Sequence, residues 1–425
     1  MALKNAKVIK MLLFTALILL IWRLAYHIQL PLINRDFLGT ESSIFGFLNV
    51  FSGGALANYS IVALGISPYI TASIVIQLLQ MDIVPALKEW AEEGETGKRK
   101  LNQLTRYLAL GLAFVQALTI TLGIAAYYGD IFKLGVETNI FTYVYLALVM
   151  TAGTAFVLWL AEKITLKGIG NGTSMFIVAG IVASFPRMIS DLIKKFIAAP
   201  EGNSVGDIFI FFGVLLLMIA IVVGVVFMEA AQRKIPIQYA NRPAAAAFRG
   251  KSESNIPIKL NSASVIPVIF ASTLMSLPTT IVNFLDQSNN VVYWIGQIFN
   301  YTNPIGFAVY IILIFVFSFF YSFLQMNPEK MAENLRKQNA YVPGIRPGAE
   351  TASYISRVLF KITMVGATYL AIVASLPIIM SFIFDLPASV QVGGTSLIIV
   401  VGVAIETAKQ LKTQAQEKQY RGFID

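Results

Sequence analysis

Histidine, cysteine and paired carboxylates carry most protein chemistry, and this chain is nearly empty of them. It has no cysteine and a single histidine, His27. Thiolate nucleophiles, disulfides, imidazole metal clusters and the usual Ser-His-Asp triad are therefore unavailable. No G-x-x-x-x-G-K-[ST] run occurs, so the chain does not hydrolyse ATP in the P-loop manner. Its long apolar stretches hold no Asp or Glu away from their ends, which also removes the aspartate pair of an intramembrane protease. The sequence predicts a protein that is not an enzyme, binds no cofactor or metal, and draws energy from partners.

What remains must be positioned by apolar elements. Hydrophobic residues make up 56% of the 425, charged residues 13%, and the mean hydropathy is +0.70. Runs of about 20 apolar residues suffice to cross a hydrocarbon layer of about 30 Å. Windows of that kind lie at about 10–33, 65–84, 105–128, 141–161, 172–193, 206–229, 262–285, 304–325, 356–381 and 390–408. The run from Met11 to Leu32 is longer than a signal-peptide core and lacks a small-residue cleavage site, so it is expected to stay as the first span. Basic residues are sharply sided. All 32 except Arg23, Arg35, Lys133, Arg187, Lys194 and Lys195 fall at the termini and in alternate loops, and the positive-inside rule puts both termini in the cytoplasm. The cluster Arg187, Lys194 and Lys195 is the misfit in that pattern. The longest hydrophilic segments, about 230–261 and 326–355, share the cytoplasmic side and are either partner surfaces or ordinary connecting loops.

Two features break the monotony. Pro68 to Ser73 and Pro267 to Ser272 both read P-x-I-x-A-S, in the second and seventh windows. If this is an internal repeat and not a coincidence of common membrane residues, the chain is two five-helix halves, 1–195 and 196–425, inverted relative to one another. Inverted repeats commonly place a pathway at their interface. The segment at about 45–60 is apolar yet interrupted by Gly and Asn. It is either a re-entrant element, whose backbone must be satisfied by protein or a water-filled cavity, or an amphipathic loop on the membrane surface.

Several runs resemble the SecY family, the channel-forming subunits of the Sec protein translocon. They are NVFSGGALANYSIVALGISPYITASIVIQLL from Asn49 to Leu79; Gly168 to Gly172, reading GIGNG; and VIPVIFAS from Val265 to Ser272. Asn327-Pro328-Glu329, VPGIRPG from Val342 to Gly348, and Gly393-Gly394-Thr395-Ser396 complete the set, in family order from the first window to the last.

The resemblance implies an all-α polytopic membrane protein of ten transmembrane helices in two inverted five-helix halves, with a re-entrant plug. It would be a passive gated channel of the bacterial inner membrane that moves unfolded preproteins across and releases apolar segments sideways into the lipid bilayer. The implied pore ring is Ile66, Ile70, Thr173, Ile177, Ile269, Leu274 and Ile399. A narrow greasy ring dewets when empty and offers no directional bonds to a passing chain. Thr173 departs from the usual aliphatic residue. Implied plug residues are Phe51, Ser52, Gly53, Gly54, Ala55 and Leu56. A lateral gate would part spans 2 and 3 from spans 7 and 8, with Ser73, Gln77 and Ser272 in the seam and Gln77 as a candidate latch.

Implied partners are SecE and SecG in the membrane, the SecA ATPase, the ribosome, and preproteins with their signal sequences. Arg346, Pro347 and Gly348 form the expected motor-contact turn, and Arg242 and Arg249 the expected ribosome contact. Ala244 to Ala247 stand where the family is usually rich in Arg and Lys, so ribosome affinity is expected to be reduced, with a shallow salt dependence. The alternative function is a secondary transporter of small solutes. It shares the architecture but generally needs intramembrane ionisable groups for coupling.

Overall fold

The computed structural model describes residues 6–33, 52–56, 58–80, 83–128, 139–197, 205–239, 254–282, 289–301, 303–384, 386 and 388–421. In chain order its elements are α1 (Ala6–Tyr26), α2 (Ser67–Leu79), α3 (Pro85–Glu92), α4 (Glu95–Tyr128), α5 (Ile140–Lys167), α6 (Gly172–Phe196), α7 (Val205–Ala230), β1 (Gln232–Tyr239) and β2 (Ser254–Lys259). They continue with α8 (Ile266–Val282), α9 (Asn290–Phe299), α10 (Pro304–Gln325), α11 (Pro328–Lys337), β3 (Ala340–Tyr341), α12 (Ala349–Phe384) and α13 (Ala388–Arg421).

Each of the ten apolar windows holds a helix: α1, α2, α4, α5, α6, α7, α8, α10, α12 and α13. Among the described residues, seven stretches are helical, long and apolar enough to cross a bilayer. Their outer faces are as greasy as their inner ones. On α7 the exposed large side chains include Phe209, Phe212, Leu216, Ile219, Val223 and Phe227, spaced three or four apart along one face. Water would not tolerate such a stripe, whereas lipid solvates it.

α2 is different. Its 13 residues rise about 20 Å, short of the hydrocarbon thickness. The shortfall is made up by a chain of turns from Asn58 to Ile66 in which Ser60, Val62 and Ala63 are almost wholly buried. Irregular backbone is tolerated there because α1 and its C-terminal extension satisfy it. Leu30 N donates to Tyr59 O at 2.7 Å, Ile61 N to Ile28 O at 3.0 Å, and Ser60 Oγ to Ala25 O at 3.2 Å.

Helix contacts define two seams. α2 and α4 meet α8 along one, while α6 meets α13 and α7 along the other. Between them runs one apolar core cluster, drawing Ile70 from α2, Val157 from α5, Ile177 from α6, Ile269 from α8, Ile314 from α10, Leu370 from α12 and Ile399 from α13.

The bundle is helical as expected, and the two long hydrophilic segments add a small sheet to it. β1 and β2 form an antiparallel hairpin, and β3, from the other long hydrophilic segment, adds to it in the order β2-β1-β3. The register sets Ile235 opposite Ile256 and Tyr239 opposite Ala340. Ile235, Ile237 and Ile258 face a second core with Leu335, Val342, Ile355 and Leu359, so the two hydrophilic segments form one platform beside the helix ends. The second hydrophilic segment also holds the short helix α11. Its start carries clear signals: Asn327 Oδ1 accepts from Glu329 N and Lys330 N at 3.0 and 3.2 Å, Pro328 follows, and Arg336 and Lys337 close the last turn.

Candidate functional site

The repeated motif explains how the centre is built. Pro68 and Pro267 each sit in the first turn of a helix, where a missing N–H costs nothing. Three residues after Ser67 comes Ile70, and three after Ile266 comes Ile269, so the repeat delivers equivalent isoleucines. The motif alanines Ala72 and Ala271 are fully buried, letting the backbones of α2 and α8 approach. The two helices run in opposite senses: α8 starts at the sheet, whereas α2 ends there, its following helix α3 reaching α11 through Glu92 and Lys330 at 3.7 Å.

Ile66, Ile70, Ile177, Ile269 and Ile399 belong to the single central cluster, with exposures of 4, 7, 7, 8 and 0%. Ile66 comes from the turn that leads into α2 and the others from α2, α6, α8 and α13, and all five join one apolar cluster, the collar. Two residues of the expected ring do not join it. Leu274 is 39% exposed; five residues beyond Ile269 on an α-helix, it points about 140° away. Thr173 is half-buried and spends its hydroxyl on Asn171, donating to Oδ1 at 2.8 Å, while its N–H donates to the same oxygen at 3.1 Å. Asn171 is thus the cap of α6, and Thr173, tied to it, adds no grease to the collar.

The expected plug packs directly against these helices. Ser52, Ala55 and Leu56 are 2% exposed or less. Ser52 Oγ accepts from Leu56 N at 3.2 Å, which closes a tight turn. Gly53 and Gly54 adopt φ of +67° and +87°, a region that penalises a side chain. A Cβ on Gly53 would also lie 3.1 Å from the Trp22 ring and 3.2 Å from Gly180 Cα of α6. Arg23 reaches Gly53 O at 3.5 Å and lies over the Tyr26 ring at 4.1 Å, while Asn58 donates to the Tyr26 hydroxyl. Thus Ala55 joins the collar's cluster and Leu56 a neighbouring one with Ala113, Ile120 and Met150. Phe51 lies outside the described residues.

The expected latch does not cross its seam. Gln77 Nε2 donates to Ser73 Oγ at 3.1 Å on its own helix, and Gln77 Oε1 is buried with no hydrogen-bond partner. Ser272 Oγ likewise bonds backward to Val268 O and Ile269 O at 2.7 and 3.0 Å. A helix interior offers a serine its own carbonyls four residues back, and that local option wins here. The ion pair Glu92–Lys330, between exposed side chains, bridges the same side of the bundle instead.

On the platform, Arg346 and Pro347 are exposed and Gly348, with φ of +109°, turns the chain into α12. Arg346 O accepts from Thr351 Oγ1 at 2.8 Å, so the turn is fixed while the guanidinium is presented outward. A cleft of about 810 Å³ adjoins it, lined by Asn327, Glu329, Glu333 and Arg336 on one wall and Gly348 and Ser353 on the other. Arg242 and Arg249 lie outside the described residues.

Sequence reading missed one joint. Glu229, 3% exposed at the end of α7, accepts from Asn261 Nδ2 at 2.9 Å and Ser264 Oγ at 3.3 Å. Lys409 of α13 donates to the Glu229 carbonyl at 3.5 Å, and Ser264 holds φ of +54°. The joint therefore ties α7, the sheet's exit, the start of α8 and α13 at one point. A glutamate closing an apolar window and an Asn-Ser pair opening the next were the available signals.

The SecY family model matches residues 60–408. The chain is 47% identical over 413 residues to the protein translocase subunit SecY of Halalkalibacterium halodurans, covering 97% of this chain and 95% of that one. It is a member of the SecY family. The SecY subunit of Bacillus subtilis is 45% identical, with 97% and 95% covered. A solved protein-conducting channel superposes with a TM-score of 0.64 at 17% identity, covering 96% of this chain and 92% of that one. Sec61 in the canine ribosome–channel complex gives 0.63 at 18%, with the same coverage. Those distant likenesses show that the fold is shared over nearly all of the chain.

Proposed function

We propose that this SecY-family chain is a passive, gated channel for unfolded polypeptides, closed at rest by an aliphatic collar and a short plug, and able to release apolar segments sideways into lipid. The observation that carries the reading is the convergence of Ile66, Ile70, Ile177, Ile269 and Ile399 in one buried cluster, with the plug residues Ser52 to Leu56 seated against the same helices. A collar of this composition offers no hydrogen bond to a passing chain, so it can close around any sequence and still exclude ions when empty.

The two halves, 1–195 and 196–425, are the units that move. The seam of α2 and α4 against α8 is the lateral opening, and the second seam at α6 is the hinge. Both termini lie in the cytoplasm of the bacterial inner membrane, which places the sheet, Arg346 and the 810 Å³ cleft where SecA or a ribosome would dock. SecE and SecG are the expected membrane partners. Gly53 and Gly54 let the plug fold tightly, and the polar contacts of Arg23 and Asn58 hold it without a covalent anchor.

The transporter alternative lacks its coupling group. Among the described residues the buried carboxylate is Glu229, and it is committed to Asn261 and Ser264 at the end of α7.

The test is a photocrosslinking scan. A preprotein arrested in transit should label probes at positions 70, 177, 269 and 399 and spare probes at lipid-facing Leu216 and Phe227. Labelling confined to the last two would remove the channel assignment.

A further inference from the structure

Helix α9 joins α8 to α10 at the end of the bundle remote from the sheet, and no role described so far uses it. Its ten residues, NVVYWIGQIF, carry no charge, and none of them is buried. Val291, Tyr293 and Trp294 are 64, 51 and 53% exposed. At about 15 Å it is too short to cross a bilayer. In water such a face would be a liability, whereas Tyr and Trp prefer the boundary where an apolar ring meets a wet edge. The two rings meet edge to face at 6.1 Å. The exposed surface continues onto Ile281 of α8 and onto Ile305 and Ile312 of α10, that is, onto lipid-facing walls.

The helix is also firmly attached. Thr279 Oγ1 of α8 donates to Phe299 O at 3.0 Å. Gly306 of α10 admits the Asn300 carbonyl so closely that a Cβ there would lie 2.0 Å from its oxygen, and a Cβ on Gly296 would lie 3.1 Å from Val282 Cγ1. Asn289 caps the first turn through Val291 N at 3.2 Å.

We infer that α9 docks on the lipid surface, seating Val291, Tyr293 and Trp294 at the boundary between headgroups and acyl chains and tying the far end of α8 and α10 to that depth. Having no Lys or Arg, it takes the boundary itself as partner and not anionic headgroups in particular. The inference rests on the membrane-channel reading for its meaning: a gate half held at fixed depth would slide in the plane of the bilayer and not tilt out of it.

The chain contains no cysteine, so single nitroxide labels can be placed on the full-length protein at Val291→Cys and, independently, Trp294→Cys. The protein is reconstituted in vesicles of phosphatidylethanolamine with and without phosphatidylglycerol. Collision with oxygen and with a water-soluble nickel chelate is read against Lys234→Cys on the sheet and Leu216→Cys, exposed near the middle of α7. The expected depth parameter at both α9 sites falls between those two controls and does not shift when phosphatidylglycerol is omitted. A value equal to the Lys234 control would put α9 in water and overturn the inference, as would one equal to the Leu216 control. Shielding from both reagents would mean a protein cover, a second copy included, and would overturn it equally. The reading is made without substrate, so loss of preprotein transport with intermediate depth retained would count against the channel and leave the lipid docking standing.

Discussion

The collar and the Glu229 joint lie on the same helices yet are built from opposite materials. Ile269 and Ile399 touch apolar neighbours and make no directional side-chain bond, whereas Ser264, five residues before Ile269, and Lys409, ten after Ile399, are both bonded to Glu229. Dispersion contacts survive sliding because they are non-directional. Hydrogen bonds in a buried site are all-or-none, because a half-satisfied group costs its full desolvation. The directional bonds thus sit at the Glu229 joint and the non-directional contacts at the collar, which suits the proposed channel's need to part and close there.

Breaking the collar should have the largest effect. Ile399→Ala, at a fully buried site, is expected to cost about 2–5 kcal/mol and to raise resting ion leak through proteoliposomes; thermal unfolding in detergent and a chloride-efflux assay read the two separately. Glu229→Ala strands Asn261 and Ser264 and should cost about 1–3 kcal/mol, without the leak. If it leaks as Ile399→Ala does, the division between fixed joint and moving collar is wrong. Gly53→Ala forces a side chain into the left-handed region beside Gly180 Cα, at about 1–2 kcal/mol; the strain falls on the closed plug, so leak should rise while the melting temperature hardly moves. Smallest is Lys330→Glu, which turns the Glu92 contact repulsive. Exposed pairs of this kind carry about 0.2–1 kcal/mol, so gate opening, followed by crosslinking between α3 and α11, should ease slightly, and added salt should erase the difference.

The helices were legible because a span in lipid has to be both apolar and helical, and composition alone reveals that. Each window found its helix, though α12 starts at Ala349 and α13 runs on to Arg421, since a helix need not stop where hydropathy does. The sheet was missed for a physical reason. Ile235-Pro236-Ile237 and Ile256-Pro257-Ile258 alternate as strands should, but proline argues against a central strand. It is tolerated because Pro236 pairs across from Asn255 on β2, while β3 joins β1 beyond it, at Gln238 and Tyr239.

Within the candidate site, the residues that came from the repeat landed together, because equivalent positions in two inverted helices face the same axis. Leu274 failed on helical phase. The Gln77 latch failed because a side chain in a helix can satisfy itself locally before it reaches a neighbour. The Glu229 joint left only the polar residues at the ends of two windows as a trace, because its partners lie over 30 residues apart and a single sequence does not report which of them pair.

The pairing of β3 with β1 spans two residues, Ala340 and Tyr341. A fastening that small can unclip while the hairpin beside it stays whole. Against the six paired positions of the hairpin, β3's two make it the weaker side of the platform, and Arg346 lies only five residues beyond it.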